Sequence, residues 1–273
     1  MLQKKDKAHM KLFSIFGNPV SHSISPKMHN LALNGLHIKG CYIRTPLEDG
    51  SKLIARFKSL QLNGANVTVP HKEFAYNLCD ELDEFAKQIG AVNTLVKKDN
   101  KIIGYNTDAP GFYKAIESFT GVKSALILGA GGTAKAIATI LKKNSLHVEI
   151  LNRSKNRLDW FCENDFKAYS WEEFKVKPFD LIINTTSAGL SDNSLPIDEK
   201  VLNGLMKNAK YAFEVIYNKE TPFLKLAKQN SLTCKDGADM LLHQGVLAFN
   251  LFFNNKLDEK TITTYMKEAF YAT

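Results

Sequence analysis

Leu126-Ile127-Leu128-Gly129-Ala130-Gly131-Gly132-Thr133-Ala134 is the stretch on which the fold turns. Three apolar residues run into a glycine turn, and the turn runs into a helical pattern over Thr133–Asn144. A buried strand feeding a helix through so short a connection is the repeating unit of a doubly wound, parallel α/β sheet. The turn also has a chemical reading. Glycine lets a backbone approach a phosphate, and N–H groups opening a helix carry partial positive charge. Gly129, Ala130, Gly131, Gly132 and Thr133 therefore form a candidate cradle for a dinucleotide pyrophosphate, with Ala134 at the third small position, where helix packs on strand. Glycine turns also join strands to helices without binding anything, so the next strand has to decide.

That strand, His147–Leu151, ends in Asn152-Arg153-Ser154, with Arg157 close behind. An acid at this point would hold a ribose 2′-hydroxyl; none is present. An amide, a guanidinium and a hydroxyl suit a 2′-phosphate, to which arginine makes paired, charge-assisted hydrogen bonds. The expected cofactor is thus NADP rather than NAD. The plain alternative for Arg153 and Arg157 is solvated surface charge.

Working outward, the same rhythm continues: a helix over Lys155–Cys162, strands at Asp180–Asn184 and Tyr211–Val215, and a last strand near Leu232–Cys234. Upstream lies another α/β region. It comprises a strand Leu12–Phe16, a helix from Ser25-Pro26 to about Leu36, a strand Cys41–Arg44, a helix Ser51–Leu60 and a strand Ala65–Val69. Helices follow from Pro70, and a hairpin, Val92–Val96 and Ile102–Tyr105 around Asp99-Asn100, closes that sheet. Two apolar-periodic helices, about Ala238–Asn254 and Glu259–Tyr271, end the chain. The organisation predicted is a substrate-binding domain over 10–107, a Rossmann-like nucleotide domain over 108–237, and C-terminal helices over 238–273 returning to the first domain. Met1–His9 is polar and basic, with no signal-peptide pattern; it reads as a leader that need not be native, Met10 being a candidate start.

At 273 residues, 44% hydrophobic and 23% charged, the chain has the composition of an ordinary globular protein. Its longest apolar stretches, 125–141 and 240–253, are broken by Gly131, Gly132, Lys135, His243 and Gln244, so no membrane span is expected. Cys41, Cys79, Cys162 and Cys234 show no paired spacing, which fits reduced thiols in a cytoplasmic protein and no metal site. A net charge of +8 comes from scattered lysines, not from a basic patch of the kind that binds nucleic acid.

The first region holds polar residues where a purely structural sheet needs none. Ser23 and Ser25 precede a helix, where hydroxyls and N–H groups together can hold a carboxylate; helix capping is the bland reading for Ser25. In Asn66-Val67-Thr68-Val69-Pro70-His71-Lys72, Thr68 ends a strand and Lys72 falls in the first turn of the next helix. The positive end of a helix disfavours an ammonium group unless an anion lies nearby, and that tension marks Lys72 as a candidate acid or base; a lysine pointing into water is the alternative. Asp108, at the end of Gly104-Tyr105-Asn106-Thr107-Asp108, opens a helix and reads either as a cap or as a functional carboxylate.

Taken together these motifs resemble the shikimate dehydrogenase family over nearly the whole chain from Lys11. Gly17-Asn18-Pro19, Ser23-Ile24-Ser25-Pro26, the Asn66–Lys72 segment, Gly90-Ala91-Val92-Asn93-Thr94, Asn106-Thr107-Asp108, the glycine turn and Asn152-Arg153 occur in the family's order. The resemblance implies reversible reduction of 3-dehydroshikimate to shikimate by NADPH. It also implies that Lys72 and Asp108 are catalytic, that Ser23, Ser25 and Tyr217 hold the substrate carboxylate, and that Thr68, Asn93 and Gln244 join Lys72 and Asp108 around its ring hydroxyls. Val215 and Gly237 would line the nicotinamide pocket, and Glu84 falls where some members approach the cofactor. A small molecule is the expected partner, with no nucleic acid and no membrane; a homodimer is left open. Two other readings stay open: a quinate/shikimate dehydrogenase of relaxed cofactor use, and a non-catalytic nucleotide- or nucleic-acid-binding protein on the same scaffold.

Overall fold

The computed structural model describes residues 10–271; the proposed leader Met1–His9 lies outside them. The chain divides into two units, one reaching Gly111 and resuming at Leu242, the other Phe112–Leu241, with the divisions inside two helices.

The first unit contains β1 (Lys11–Gly17), α1 (Ser25–Gly35), β2 (Gly40–Pro46), α2 (Leu53–Ser59), β3 (Gly64–Val67), α3 (Lys72–Leu78), β4 (Glu81–Leu82), α4 (Glu84–Ile89), β5 (Thr94–Lys98) and β6 (Lys101–Tyr105); α5 (Asp108–Ala115) begins in it. Its strands are ordered β2-β1-β3-β5-β6-β4. β1 pairs in parallel with β2 and β3, whereas β5 runs antiparallel to both β3 and β6. One face buries Phe16, Leu53, Phe57, Ala65, Val67, Leu95 and Ile102.

The second unit contains β7 (Ser124–Leu128), α6 (Gly132–Lys143), β8 (His147–Asn152), α7 (Asp159–Glu163), β9 (Lys167–Ser170), β10 (Leu181–Asn184), α8 (Glu199–Met206), β11 (Tyr211–Glu214), α9 (Pro222–Gln229) and β12 (Thr233–Lys235). All its strands are parallel in the order β12-β11-β10-β7-β8-β9, the doubly wound arrangement. Period-two alternation sends Ala125 and Ile127 into the core under α6, and Leu126 and Leu128 into the core under α8 and α9. Both faces are thereby buried, which is why these strands read as continuous apolar runs. The order reverses between β7 and β10, and the glycine turn leaves β7 at that point.

α10 (Ala238–Phe252) and α11 (Glu259–Lys267) complete the chain. Phe252 of α10 stacks on Phe13 of β1 with ring centroids 4.9 Å apart, and α11 packs on α1.

Several expectations need correction. The hairpin does not close the first sheet: β4 pairs with Ile103 and Gly104 of β6 and forms the outer edge. The helix expected over Lys155–Cys162 is a 3₁₀ turn, Lys155–Arg157, followed by α7. β3 stops at Val67, because Thr68 turns the chain toward α3. β9, α8 and α9 were not foreseen. Ser25 is not the cap of α1; Ile24 holds that position, with no side-chain hydrogen bond, and Ser25 is already helical.

Candidate active site

In the first unit the chain leaves β3, turns through Thr68–Pro70, and enters α3 with Lys72 as its first residue. The Thr68 carbonyl accepts the His71 N–H, and the Lys72 carbonyl accepts the Val92 N–H at 3.0 Å, which anchors the lysine backbone beside the approach to β5. The Lys72 ammonium donates to Asp108 Oδ2 at 2.5 Å, with the two side chains only 14% and 11% exposed. This carboxylate is the anion that makes an ammonium tenable at a helix start.

Asp108 has both oxygens available because it does not cap α5. Asn106 does: its Oδ1 accepts the N–H groups of Asp108 and Ala109, at 3.1 and 3.3 Å, while its amide nitrogen donates to the Ala91 carbonyl. Asp108 Oδ1 then accepts from Asn93 Nδ2 at 2.8 Å. The Asn93 amide also donates to Thr107 Oγ1, and its oxygen accepts the Thr107 N–H. Lys72, Asp108 and Asn93 thus form one hydrogen-bonded group, the first two partly accessible and Asn93 3% exposed.

Ser23 and Ser25, both buried, form a second cluster in which the Ser25 N–H donates to Ser23 Oγ at 3.3 Å. Arg44 on β2 holds that turn with two hydrogen bonds to the Ser23 carbonyl, at 3.0 and 2.6 Å. Sequence reasoning missed Arg44; the signal available was a charge at the end of an otherwise uncharged strand. Thr68 is half-buried, and its N–H donates to the Phe16 carbonyl. Gln244 is buried on α10, its backbone so close to Gly111 that a Cβ there would fall 2.7 Å from the Gln244 nitrogen. Glu84 joins none of these residues: it is exposed, and its carboxylate pairs with Lys87 one turn along α4.

In the second unit Gly129 takes φ +110°, a conformation that side chains disfavour, and a Cβ there would lie 2.6 Å from Thr185 Oγ1. Gly131, the N-cap of α6, differs: it is exposed, has no side-chain cap, and a Cβ built on it meets nothing within 4 Å. α6 has no acid in its first turn. An uncapped helix start beside open space at a strand-order reversal fits a pyrophosphate. Asn152 ends β8, its amide donating to the Ser154 carbonyl, while Arg153 and Arg157 stand exposed. Val215 and Gly237 touch through backbone, a Cβ on Gly237 falling 2.1 Å from the Val215 carbonyl oxygen. Tyr217 is half-buried after β11, and burial raises its hydroxyl above the usual phenol range.

The turns around it are organised by Glu214, another residue missed from sequence. Fully buried, it accepts from Asn184 Nδ2 (2.8 Å), Thr221 Oγ1 (2.9 Å) and the Ile216 N–H (3.2 Å), and burial pushes its carboxyl up to about 7. Among the described residues no helix is long and apolar enough to cross a membrane, and no His/Cys/Asp/Glu group is arranged to hold a metal ion.

An enclosed amine–carboxylate pair, and an uncapped helix start after a buried strand of a doubly wound sheet, fit a dinucleotide-dependent dehydrogenase, and that is the class the fold and site define. The family model described as the shikimate dehydrogenase substrate binding domain matches residues 15–95. A Helicobacter hepaticus protein described as shikimate dehydrogenase (NADP(+)) is 46% identical over 263 residues, covering 94% of this chain and 98% of that protein. A Helicobacter pylori protein of the same description is 43% identical, with 96% and 99% covered. Among solved structures, Thermus thermophilus shikimate 5-dehydrogenase in complex with NADP(H) and shikimate superposes with a TM-score of 0.83 at 33% identity, covering 95% of this chain and all of that one. Shikimate dehydrogenase from Aquifex aeolicus gives 0.85 at 34% identity, with 95% and 98% covered. The chain belongs to the shikimate dehydrogenase family.

Proposed function

We propose that this chain catalyses the reversible NADP-linked interconversion of shikimate and 3-dehydroshikimate, with Lys72 as the proton-transfer group. The observation that carries this reading is the enclosed Lys72–Asp108 pair at the heads of α3 and α5. NADP, when bound, supplies or accepts the hydride. As the substrate carbonyl carbon is reduced, negative charge grows on its oxygen; the Lys72 ammonium stabilises that charge and delivers the proton. In the oxidative direction the amine takes the proton from the hydroxyl. Asp108 holds the amine in place, and Asn93 holds Asp108.

Ser23 and Ser25 are assigned to the substrate carboxylate, and Thr68 and Gln244, with Asn93, to its ring hydroxyls; Tyr217 keeps the carboxylate role that the family resemblance gives it. The unit ending at Gly111 and resuming at Leu242 is assigned to substrate, and Phe112–Leu241 to NADP. There the turn Gly129–Thr133 takes the pyrophosphate, and Asn152, Arg153, Ser154 and Arg157 take the 2′-phosphate. Val215 and Gly237 face the nicotinamide. The exposed Glu84–Lys87 pair lends no support to a cofactor role for Glu84. The protein is assigned to the cytoplasm on its free, unpaired cysteines; a homodimer is a proposal for its assembly.

The test is absorbance at the NADPH band with shikimate, quinate or no acid, each with NADP⁺ or NAD⁺. Turnover of shikimate with NADP⁺ above the other combinations is expected. Preferential turnover of quinate with NAD⁺ would replace this reading with the quinate/shikimate alternative, and no turnover of either acid would replace it with the non-catalytic one.

A further inference from the structure

We propose that Tyr42, Asn66 and Thr94 are positioning residues for the Lys72–Asp108 pair, acting through a line of hydrogen bonds that all donate toward the Asp108 carboxylate. The inference rests on the function proposed above, since it concerns the same pair.

The line starts at Tyr42 on β2, 1% exposed, whose hydroxyl donates to Asn66 Oδ1 on β3 at 2.7 Å. With its oxygen so engaged, the Asn66 amide turns its nitrogen toward β5, donating to Thr94 Oγ1 at 3.1 Å and to the Asn93 carbonyl at 3.3 Å. Thr94, having accepted, donates its own hydrogen to Asn93 Oδ1 at 3.0 Å. The Asn93 nitrogen is thereby directed at Asp108 Oδ1. Asp108 Oδ2 is left for Lys72.

Each step fixes the next, because an amide has a donor end and an acceptor end. Reversing Asn66 would set its oxygen against the Asn93 carbonyl; reversing Asn93 would set its NH₂ against the Thr107 N–H and turn an oxygen toward the carboxylate. Buried polar groups of this kind are costly when half satisfied, so the line behaves as a unit. Tyr42 also stacks on the His29 ring with centroids 4.1 Å apart, which holds the phenol in plane independently of its hydroxyl. None of the three positioning residues bonds to Lys72 or Asp108 directly; their effect passes through the orientation of Asn93.

The test uses the purified full chain with shikimate and NADP⁺. Thr94→Val keeps shape and removes the hydroxyl, Thr94→Ser restores it, and Tyr42→Phe removes only the first donor and keeps the ring stack. Thr94→Val should lower kcat about tenfold, the upper scale of one hydrogen bond between uncharged groups. Thr94→Ser should remain within about threefold of wild type, and Tyr42→Phe should fall between them, on the same scale. KM for NADP⁺ should stay within about twofold throughout, as no cofactor group is touched. A Thr94→Val enzyme as fast as wild type would overturn the proposal, as would Thr94→Ser as slow as Thr94→Val, which would reduce Thr94 to a packing role. Should Thr94→Val not fold, an unchanged kcat in Tyr42→Phe would overturn it equally. A wild-type chain inert toward shikimate is a different failure: it removes the proposed function, and this inference with it.

Discussion

Lys72 and Asp108 are each the first residue of a helix, and their side chains meet at 2.5 Å between α3 and α5. The start of a helix favours the aspartate and disfavours the lysine, so the pair is electrostatically sound only as a pair. Removing either side leaves the other without its partner in a mostly enclosed place. Lys72→Ala is expected to lower kcat by about 10²–10⁴, the usual worth of a positioned acid–base group. Shikimate binding, followed by calorimetry, should persist, because Ser23, Ser25 and Gln244 are intact. Asp108→Asn should lose a similar factor; wild-type kcat in either variant would remove the pair from the chemistry.

The end of β8 makes a separable prediction. Arg153 is exposed, beside the Asn152–Ser154 hydrogen bond. Arg153→Ala should reduce kcat/KM with NADP⁺ by about 10- to 100-fold, the scale of charge-assisted bonds to a phosphate, and leave NAD⁺ within about twofold. Equal losses with both cofactors would mean that the guanidinium does not read the 2′ position.

Gly129 and Gly131 should fail in different ways. At Gly129 the positive φ and the nearby Thr185 hydroxyl make any side chain strained, so Gly129→Ala should cost about 1–3 kcal/mol in urea unfolding. At Gly131 a methyl group enters open space, so Gly131→Ala should melt within about 2 °C of wild type. Its KM for NADP⁺ should nonetheless rise about tenfold, because the methyl occupies the approach to the helix start. An unchanged KM would move the phosphate elsewhere.

Glu214 gives a pH dependence. Burial raises its carboxyl from an ordinary 4.5 to about 7, so between those values the folded chain binds a proton that the unfolded chain has lost. Stability therefore falls as pH rises through that window, in full force below 4.5 and lost above 7, by about 3 kcal/mol in all. Glu214→Gln cannot titrate. Wild type should lose about 3 kcal/mol of stability relative to this variant in urea between pH 4.5 and pH 8; a difference independent of pH would refute the protonation.

Much of this was legible because the signals were local. A glycine turn after Leu128, a missing acid after Leu151 and a lysine in a first helical turn need only neighbours along the chain to be read. The Tyr42–Asn66–Thr94 line was not, although Asn66 stood in a motif already singled out, because it exists only when β2, β3 and β5 are set in register with β1 between the first two. Glu214 likewise depends on Asn184 and Thr221, 30 and 7 residues away. β4, two residues long, and β9, four, are too short for alternation to show. α9 does carry a local signal, Thr221 before Pro222, the threonine hydroxyl accepting the Leu224 N–H.

Because Asn106, not Asp108, secures the beginning of α5, holding the helix and holding the Lys72 ammonium fall to neighbouring but separate side chains. Silencing Asp108 should therefore yield an inert protein whose backbone is undisturbed. Such a variant could be mixed with shikimate and oxidised cofactor without consuming either, which makes it the natural starting material for trapping the loaded complex in a crystal.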